Sequence, residues 1–361
     1  MTLKTKQASK SGRSTDTKAL EYPFKMRWSP ELAEPFEVCD GVFWLRTPLP
    51  MTLDHINLWL LRDGDQWVIV DTGFDYPNAK EVWEQVFKDF ISPEQVSRIV
   101  VTHYHPDHIG LAAWLSHRCN CKVLISQGEL DQYRAMLERD EEEFNAKIKR
   151  YATEVGFSDK QIEYFLGFAR VDDRPSKERL QRSQTEVIKE GDVLSIDSSE
   201  WQIVAGNGHS PEHSCLYNKS KKVLISGDQA IARISSNVSV FPSSCVSNPL
   251  ADWISSCEKL RDTISNDTLI LPAHQEPFIG IVPRMQALID EHHEQLNKLL
   301  SALSAPTNTD SARRFLFDRE LSAMETLLAT GETLAHLNYL LANNKISISH
   351  DDKGVAWYQA A

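Results

Sequence analysis

Thr102-His103-Tyr104-His105-Pro106-Asp107-His108-Ile109-Gly110 gathers three histidines and an aspartate into six positions, directly behind the apolar run Ile99-Val100-Val101. A lone histidine is usually a packed or solvated side chain. Four such groups at i, i+2, i+4 and i+5 after a buried strand point to metal binding. In extended backbone, residues i and i+2 project to the same side, so His103 and His105 can converge on one ion. Asp107 and His108, opening the following helix, can face a second. Imidazole nitrogen suits zinc, and a carboxylate suits zinc or a harder ion.

Two ions need more donors, and the sequence supplies them at the ends of other apolar runs. His209 follows Trp201–Ala205 and the flexible Gly206-Asn207-Gly208. Asp228 follows Val223-Leu224-Ile225-Ser226-Gly227, and His274 follows Leu269-Ile270-Leu271-Pro272-Ala273. Asp71 closes Trp67-Val68-Ile69-Val70 in the same way. His213 could orient ligands, donate to a substrate oxyanion, or only pack.

Around this motif the chain reads as alternating strands and helices. Val42–Leu45, Ile56–Leu61 and Trp67–Val70 are strands, with a turn at Arg62-Asp63-Gly64-Asp65. Residues 78–91 have helical spacing, and strands resume at Val187–Ile196, Trp201–Ala205 and Val223–Ile225. The charged stretch at about 128–170 is a helical insertion, with a capping-box spacing at Ser158 and Gln161. Its aromatics Tyr133, Tyr151, Tyr164, Phe165 and Phe168 read as core, with a substrate pocket as the alternative. From Pro283 a helix runs to about Leu303, helical stretches follow at 310–329 and 332–342, and a hairpin closes the chain around Asp351-Asp352-Lys353-Gly354. Three helices and a hairpin form a winged-helix-like pattern. His292-His293, between Glu291 and Glu294, reads as a solvated helix face. The expected organisation is a disordered tail at 1–20, a hydrolase domain at 21–282 and a C-terminal domain at 283–361.

The composition excludes several classes. Of 361 residues, 41% are hydrophobic and 25% charged, which rules out a collagenous or wholly disordered chain. Six cysteines without a CxxC pair do not make a disulfide scaffold; they read as reduced thiols of a cytoplasmic protein. No apolar run is long enough to span a bilayer. The first 20 residues are polar and basic, read as a frayed tail rather than a secretory signal, with a mitochondrial transit peptide as the lesser alternative. A net charge of −12 disfavours nucleic acid as a partner. So does the scarcity of Lys and Arg around the final hairpin.

Asp71-Thr72-Gly73, the run 103–108, Gly208-His209-Ser210-Pro211-Glu212-His213, Ser226-Gly227-Asp228 and Ala273-His274 together resemble the metallo-β-lactamase superfamily. They occur in that family's order and span residues 56–275. The resemblance implies an α/β fold, an αββα sandwich with the site at one edge. Carried over position by position, His103, His105 and His209 bind one metal; Asp107, His108 and His274 bind the other; Asp228 bridges them; and Asp71 orients ligands from behind. Ile234–Val238, Asn248-Pro249-Leu250 and Leu334–Leu337 resemble a subgroup with a small C-terminal winged-helix-like domain.

The expected cofactors are two divalent ions, zinc first, with iron or manganese as alternatives. Such a pair lowers the pKa of a shared water toward about 7, giving a metal-bound hydroxide at neutral pH. Asp107 is the expected catalytic residue, holding the nucleophile and moving its proton. The expected function is hydrolysis of a small acyl substrate, thioester first. The run 102–110 is similar to that of glyoxalase II, but the C-terminal region does not read as a glutathione-binding helical domain. A nuclease or phosphodiesterase, and a lactonase or other ester hydrolase, are the alternatives. The apolar C-terminal faces (Leu327, Leu334, Leu337, Leu340, Leu341) need cover from the hydrolase domain or from a second subunit in a homodimer.

Overall fold

Ile56–Leu61 carries large apolar side chains on both sides, so the strand it forms must be covered on both faces. A computed structural model of the protein describes residues 19–51, 53–169 and 178–361, with the side chains of Phe168 and Ala169 outside that set. The expectations placed on residues 1–18, on the Phe168 side chain and on Arg170 therefore lie outside the described residues.

The first sheet runs β1 (Phe36–Cys39), β2 (Val42–Pro48), β3 (His55–Asp63), β4 (Gln66–Val70), β5 (Val96–Val100), β6 (Lys122–Ser126) and β7 (Thr185–Ile188), in that spatial order. It is antiparallel through β4 and parallel from β4 to β7. The second sheet holds β8 (Val193–Ile196), β9 (Ser199–Gly206), β10 (His213–Asn218), β11 (Val223–Gly227), β12 (Leu269–Pro272) and β13 (Phe278–Ile279). There β11 and β12 pair in parallel and the other neighbours antiparallel.

Alternation along β3 divides the packing. Trp59 and Leu61 turn inward and share one cluster with Trp201, Ile203, Leu216 and Ile225 of the second sheet. Ile56, Leu58 and Leu60 turn outward toward helices α1 (Pro77–Asp89) and α3 (Ala112–Cys119), the latter preceded by the single turn α2 (Pro106–Ile109). The far face of the second sheet packs on α7 (Pro249–Thr263) and α8 (Ile281–Ala302). The layers are α, β, β, α, as expected.

The insertion forms α4 (Gln127–Leu137), α5 (Glu141–Glu154) and α6 (Asp159–Ala169). At the start of α6, Ser158 N–H donates to Gln161 Oε1 at 2.9 Å. Tyr133, Tyr151 and Phe165 are buried in the cores, and Tyr164 is exposed.

Several sequence expectations shift. Val187–Ile196 is two strands in different sheets, because the turn at Gly191 lets the chain cross from one layer to the other. The break placed near residues 330–331 does not exist: α9 (Thr309–Leu316) ends earlier, and α10 (Ala323–Ala342) runs through Gly331. The true start is a capping box, with Ser322 Oγ accepting from Glu325 N–H and Glu325 Oε2 accepting from Ser322 N–H. Within that helix Gly331 gives Ser239 and Phe241 room to approach, since an added Cβ would stand 3.0 and 2.9 Å from their atoms. His292 is not solvated. It lies on the buried stripe of α8 with Met285, Leu288, Leu296 and Leu299, facing His336 of α10, while His293 is exposed.

The hairpin β14 (Ile346–His350) and β15 (Ala356–Ala360) closes the chain. Leu327, Leu334, Leu337 and Leu340 are buried, and Leu341 packs beside them, in one cluster with Trp253 and Phe278. The C-terminal helices thus find their cover within the chain. No helix among the described residues is long and apolar enough to cross a membrane.

Candidate metal centre

The candidate ligands follow the C-terminal ends of β5, β9, β11 and β12, with Asp71 behind β4. Strand ends on one side of a sheet leave their loops free to converge, which is where α/β folds place ligand sites. His103, His105, His209 and Asp228 form one group whose ligand atoms lie within 4.8 Å of one another, and Asp107, His108 and His274 form a second. Asp228 lies between them. Its Oδ2 is 3.9, 3.6 and 3.3 Å from Nε2 of His103, His108 and His209, and its Oδ1 is 3.6 Å from Nε2 of His274.

Hydrogen bonds on the outer side of each ring fix which nitrogen looks inward. Asp71 Oδ2 accepts from His108 Nδ1 at 2.7 Å, the carbonyl of Asn237 accepts from His209 Nδ1 at 2.7 Å, and the carbonyl of His55 accepts from His274 Nδ1 at 3.2 Å. A carbonyl or carboxylate can only accept, so each of these rings carries a proton on Nδ1, which leaves Nε2 as the nitrogen that faces the centre. Asp71 is itself held by Thr102, whose N–H and hydroxyl donate to it at 2.7 and 2.8 Å. It sits at φ +61°, a left-handed conformation that aspartate tolerates. Gly208 at φ +107° lets the backbone before His209 run against Trp253, where a Cβ would approach to 2.5 Å.

Nε2 of His108, Nε2 of His209 and Oδ1 of Asp228 are buried without a hydrogen-bond partner. Buried polar atoms are almost always satisfied, so three orphans aimed at one small volume fit cations there. Protonation points the same way. Burial works to raise the Asp107 carboxyl, but His108 and His274 hold it down at about 2. Burial also opposes ionisation of Asp228, yet His274 and His108 keep it well below the usual carboxylate range. Burial pushes His105 down to about 3, leaving a neutral ring with a lone pair to give.

His213 is buried, and its Nε2 accepts the Asp228 N–H at 3.2 Å, which places it behind Asp228 rather than toward a substrate. Sequence reasoning missed four contributors: Thr102, the carbonyls of Asn237 and His55, and Glu129. The carbonyls carry no sequence signal. Glu129 looked like one more charge on a polar helix.

A cleft of about 510 Å³, counting its open mouth, adjoins His105 and His209, with walls that include Tyr104, Gln132, Ser239, Phe241, Cys245 and Val246. The wall at 237–247 rests on the C-terminal region. Val240 N–H donates to the Gly331 carbonyl at 3.1 Å, and Asn338 Nδ2 donates to the Ser247 carbonyl at 2.7 Å.

The sequence model of the metallo-beta-lactamase superfamily matches residues 51–315, and that of the metallo-beta-lactamase-like C-terminal domain matches residues 296–361. A probable metallo-hydrolase of Bacillus subtilis is 24% identical over 332 residues, covering 85% of this chain and 94% of that protein. A human acyl-coenzyme A thioesterase is 26% identical over 249 residues, covering 66% of this chain and 80% of its own. The crystal structure of a beta-lactamase domain protein from Burkholderia ambifaria superposes with a TM-score of 0.84 at 36% identity, covering 96% of this chain and 98% of that one.

Proposed function

Because the chain belongs to the metallo-β-lactamase superfamily and is a hydrolase of that fold, we propose that it cleaves small acyl thioesters with two divalent ions, zinc first, and that residues 21–282 form the catalytic unit while 283–361 buttress its substrate cleft. The observation that carries the two-ion reading is the position of Asp228, whose carboxylate lies within 4 Å of His103 and His209 of one group and of His108 and His274 of the other. His103, His105 and His209 would hold one ion, Asp107, His108 and His274 the other, and Asp228 both. The chemistry such ions supply when bound is ionisation of water near neutral pH and polarisation of the acyl oxygen.

The rest falls to the chain's own groups. Asp71, the Asn237 carbonyl and the His55 carbonyl keep the His108, His209 and His274 rings in the tautomer that can ligate. Asp107, more exposed than Asp228 and held ionised beside His108 and His274, would orient the attacking water and accept its proton. Tyr104, Phe241 and Val246 offer apolar surface to an acyl chain, with Gln132 and Ser239 as polar neighbours. The acyl-coenzyme A thioesterase among the relatives supports the thioester choice. The test is a panel of acyl-CoA thioesters, lactones and phosphodiesters offered to zinc-supplemented protein. Preference for thioesters is expected. Preference for phosphodiesters would overturn the reading in favour of a nuclease, and preference for lactones would move the substrate to another ester.

A further inference from the structure

The two loops that carry the three-histidine group meet on one buried carboxylate. Glu129 lies in the first turn of α4 and is wholly shielded from solvent. Its Oε2 accepts the N–H of Tyr104, the residue between His103 and His105, at 3.0 Å. Its Oε1 accepts the Ser210 hydroxyl, next to His209, at 2.6 Å, and the Glu212 N–H at 2.7 Å. The same helix start is stitched to that loop twice more, by Gly128 N–H to Glu212 Oε2 at 2.9 Å and by Ser126 Oγ to the Glu212 carbonyl at 2.6 Å.

None of the three donors to Glu129 carries a charge. A buried carboxylate with only neutral partners is costly unless cations stand nearby. Asp71, Asp107, Asp228, Glu129 and Glu212 bring five carboxylates to this region, and divalent ions would offset much of their charge. Among the described residues the hydrogen bonds of Glu129 run to Tyr104, Ser210 and Glu212, in the loops of His103–His105 and His209, so its grip falls on the three-histidine half of the centre.

We infer that Glu129 is a positioning residue that locks the His103–His105 loop to the His209 loop and so sets the affinity of the three-histidine half for its ion. This rests on the two-ion reading above. Substitution by glutamine shows why the carboxylate matters. An amide has one accepting oxygen; if that oxygen stays with Ser210 and Glu212, its NH₂ opposes the Tyr104 N–H, and if it flips, the Glu212 N–H is opposed instead. Either way one loop is released.

The experiment is a zinc titration of full-length protein against a chromophoric chelator, resolving two equivalents, for wild type, Glu129→Gln and Ser210→Ala. Partners that orient ligands are typically worth 10–100-fold in metal affinity. The expected result is a loss of about that size at one equivalent in Glu129→Gln with the other unchanged, and a smaller loss at the same equivalent, about threefold or more, in Ser210→Ala. A purely structural role would weaken both equivalents alike, and that result overturns the inference, as does wild-type affinity in a folded Glu129→Gln. If Glu129→Gln does not fold, Ser210→Ala decides alone: a selective loss supports the inference and no loss overturns it. Wild type that binds no zinc would overturn the two-ion reading and this inference together, whereas two wild-type equivalents with indifferent variants would overturn this inference alone.

Discussion

Asp71→Asn changes one oxygen to nitrogen and should disable the other half of the centre. The Asp71 carboxylate accepts the Thr102 N–H at 2.7 Å, the Thr102 hydroxyl at 2.8 Å and His108 Nδ1 at 2.7 Å, and it is 1% exposed. Asparagine tolerates the left-handed backbone at this position, so the fold has no backbone reason to fail. Its single accepting oxygen can serve Thr102 or His108. If it serves the Thr102 amide, the NH₂ faces His108 Nδ1 and draws the ring into the opposite tautomer, with the proton on Nε2, where a ligand needs a lone pair. If it serves His108, the Thr102 N–H is opposed in a buried site. A hydrogen bond to a charged group is worth about 1.5–3 kcal/mol, which corresponds to about 10–150-fold in affinity. The assay is the two-equivalent zinc titration together with initial rates on the best thioester. The expected loss falls on the equivalent opposite to the one Glu129→Gln affects, with turnover reduced in step. A folded Asp71→Asn protein with both equivalents and turnover at wild-type values would refute the tautomer argument.

Asp228→Ala removes the group that faces both ligand clusters, and turnover should fall by orders of magnitude in a protein that still melts cooperatively; near-normal turnover would remove Asp228 from the site. Gly331→Val forces a branched side chain against Ser239 and Phe241, where even a Cβ stands at about 3 Å. It should raise KM or change acyl-chain preference while zinc affinity holds, and unchanged substrate preference would detach the C-terminal helix from the cleft wall. Burial pushes His292 down to about 3 and His336 down to about 4, against an ordinary value of 6.5 for each. The unfolded chain therefore takes up more protons below about pH 6.5, and the pair's contribution to stability is lost progressively as pH falls from there toward 3. The urea midpoint should drop between pH 7 and pH 5, by less in a His292→Leu/His336→Leu double variant; an equal drop in both proteins would acquit the pair.

The candidate centre was legible because its potential donors are local in sequence or end apolar strands. His103 to His108 share a single turn of chain, and Asp228 and His274 each stop a run whose burial is visible in its composition. The apolar run Ile56–Leu61 likewise marked a strand, whereas the αββα layering was an implication of the family resemblance and not of the strand pattern. What escaped was set by distant packing. Gly331 reads as a helix breaker, yet it is needed where Phe241 presses on α10, and the Ser322–Glu325 box that starts that helix was overlooked. His292 sits among charges in sequence, but the 3.6-residue period carries it to the face that meets α10. Glu129 is the sharpest miss, since a first-turn glutamate looks like an ordinary helix-end charge until the loops bearing Tyr104 and Ser210 fold over it.

The most direct test of the two-ion proposal is the metal content of protein purified with added zinc, measured by elemental analysis against protein concentration from amino-acid analysis. About two zinc ions per chain are expected, because the donors on either side of Asp228 exceed what one tetrahedral ion can use. A ratio of one or fewer would contradict it.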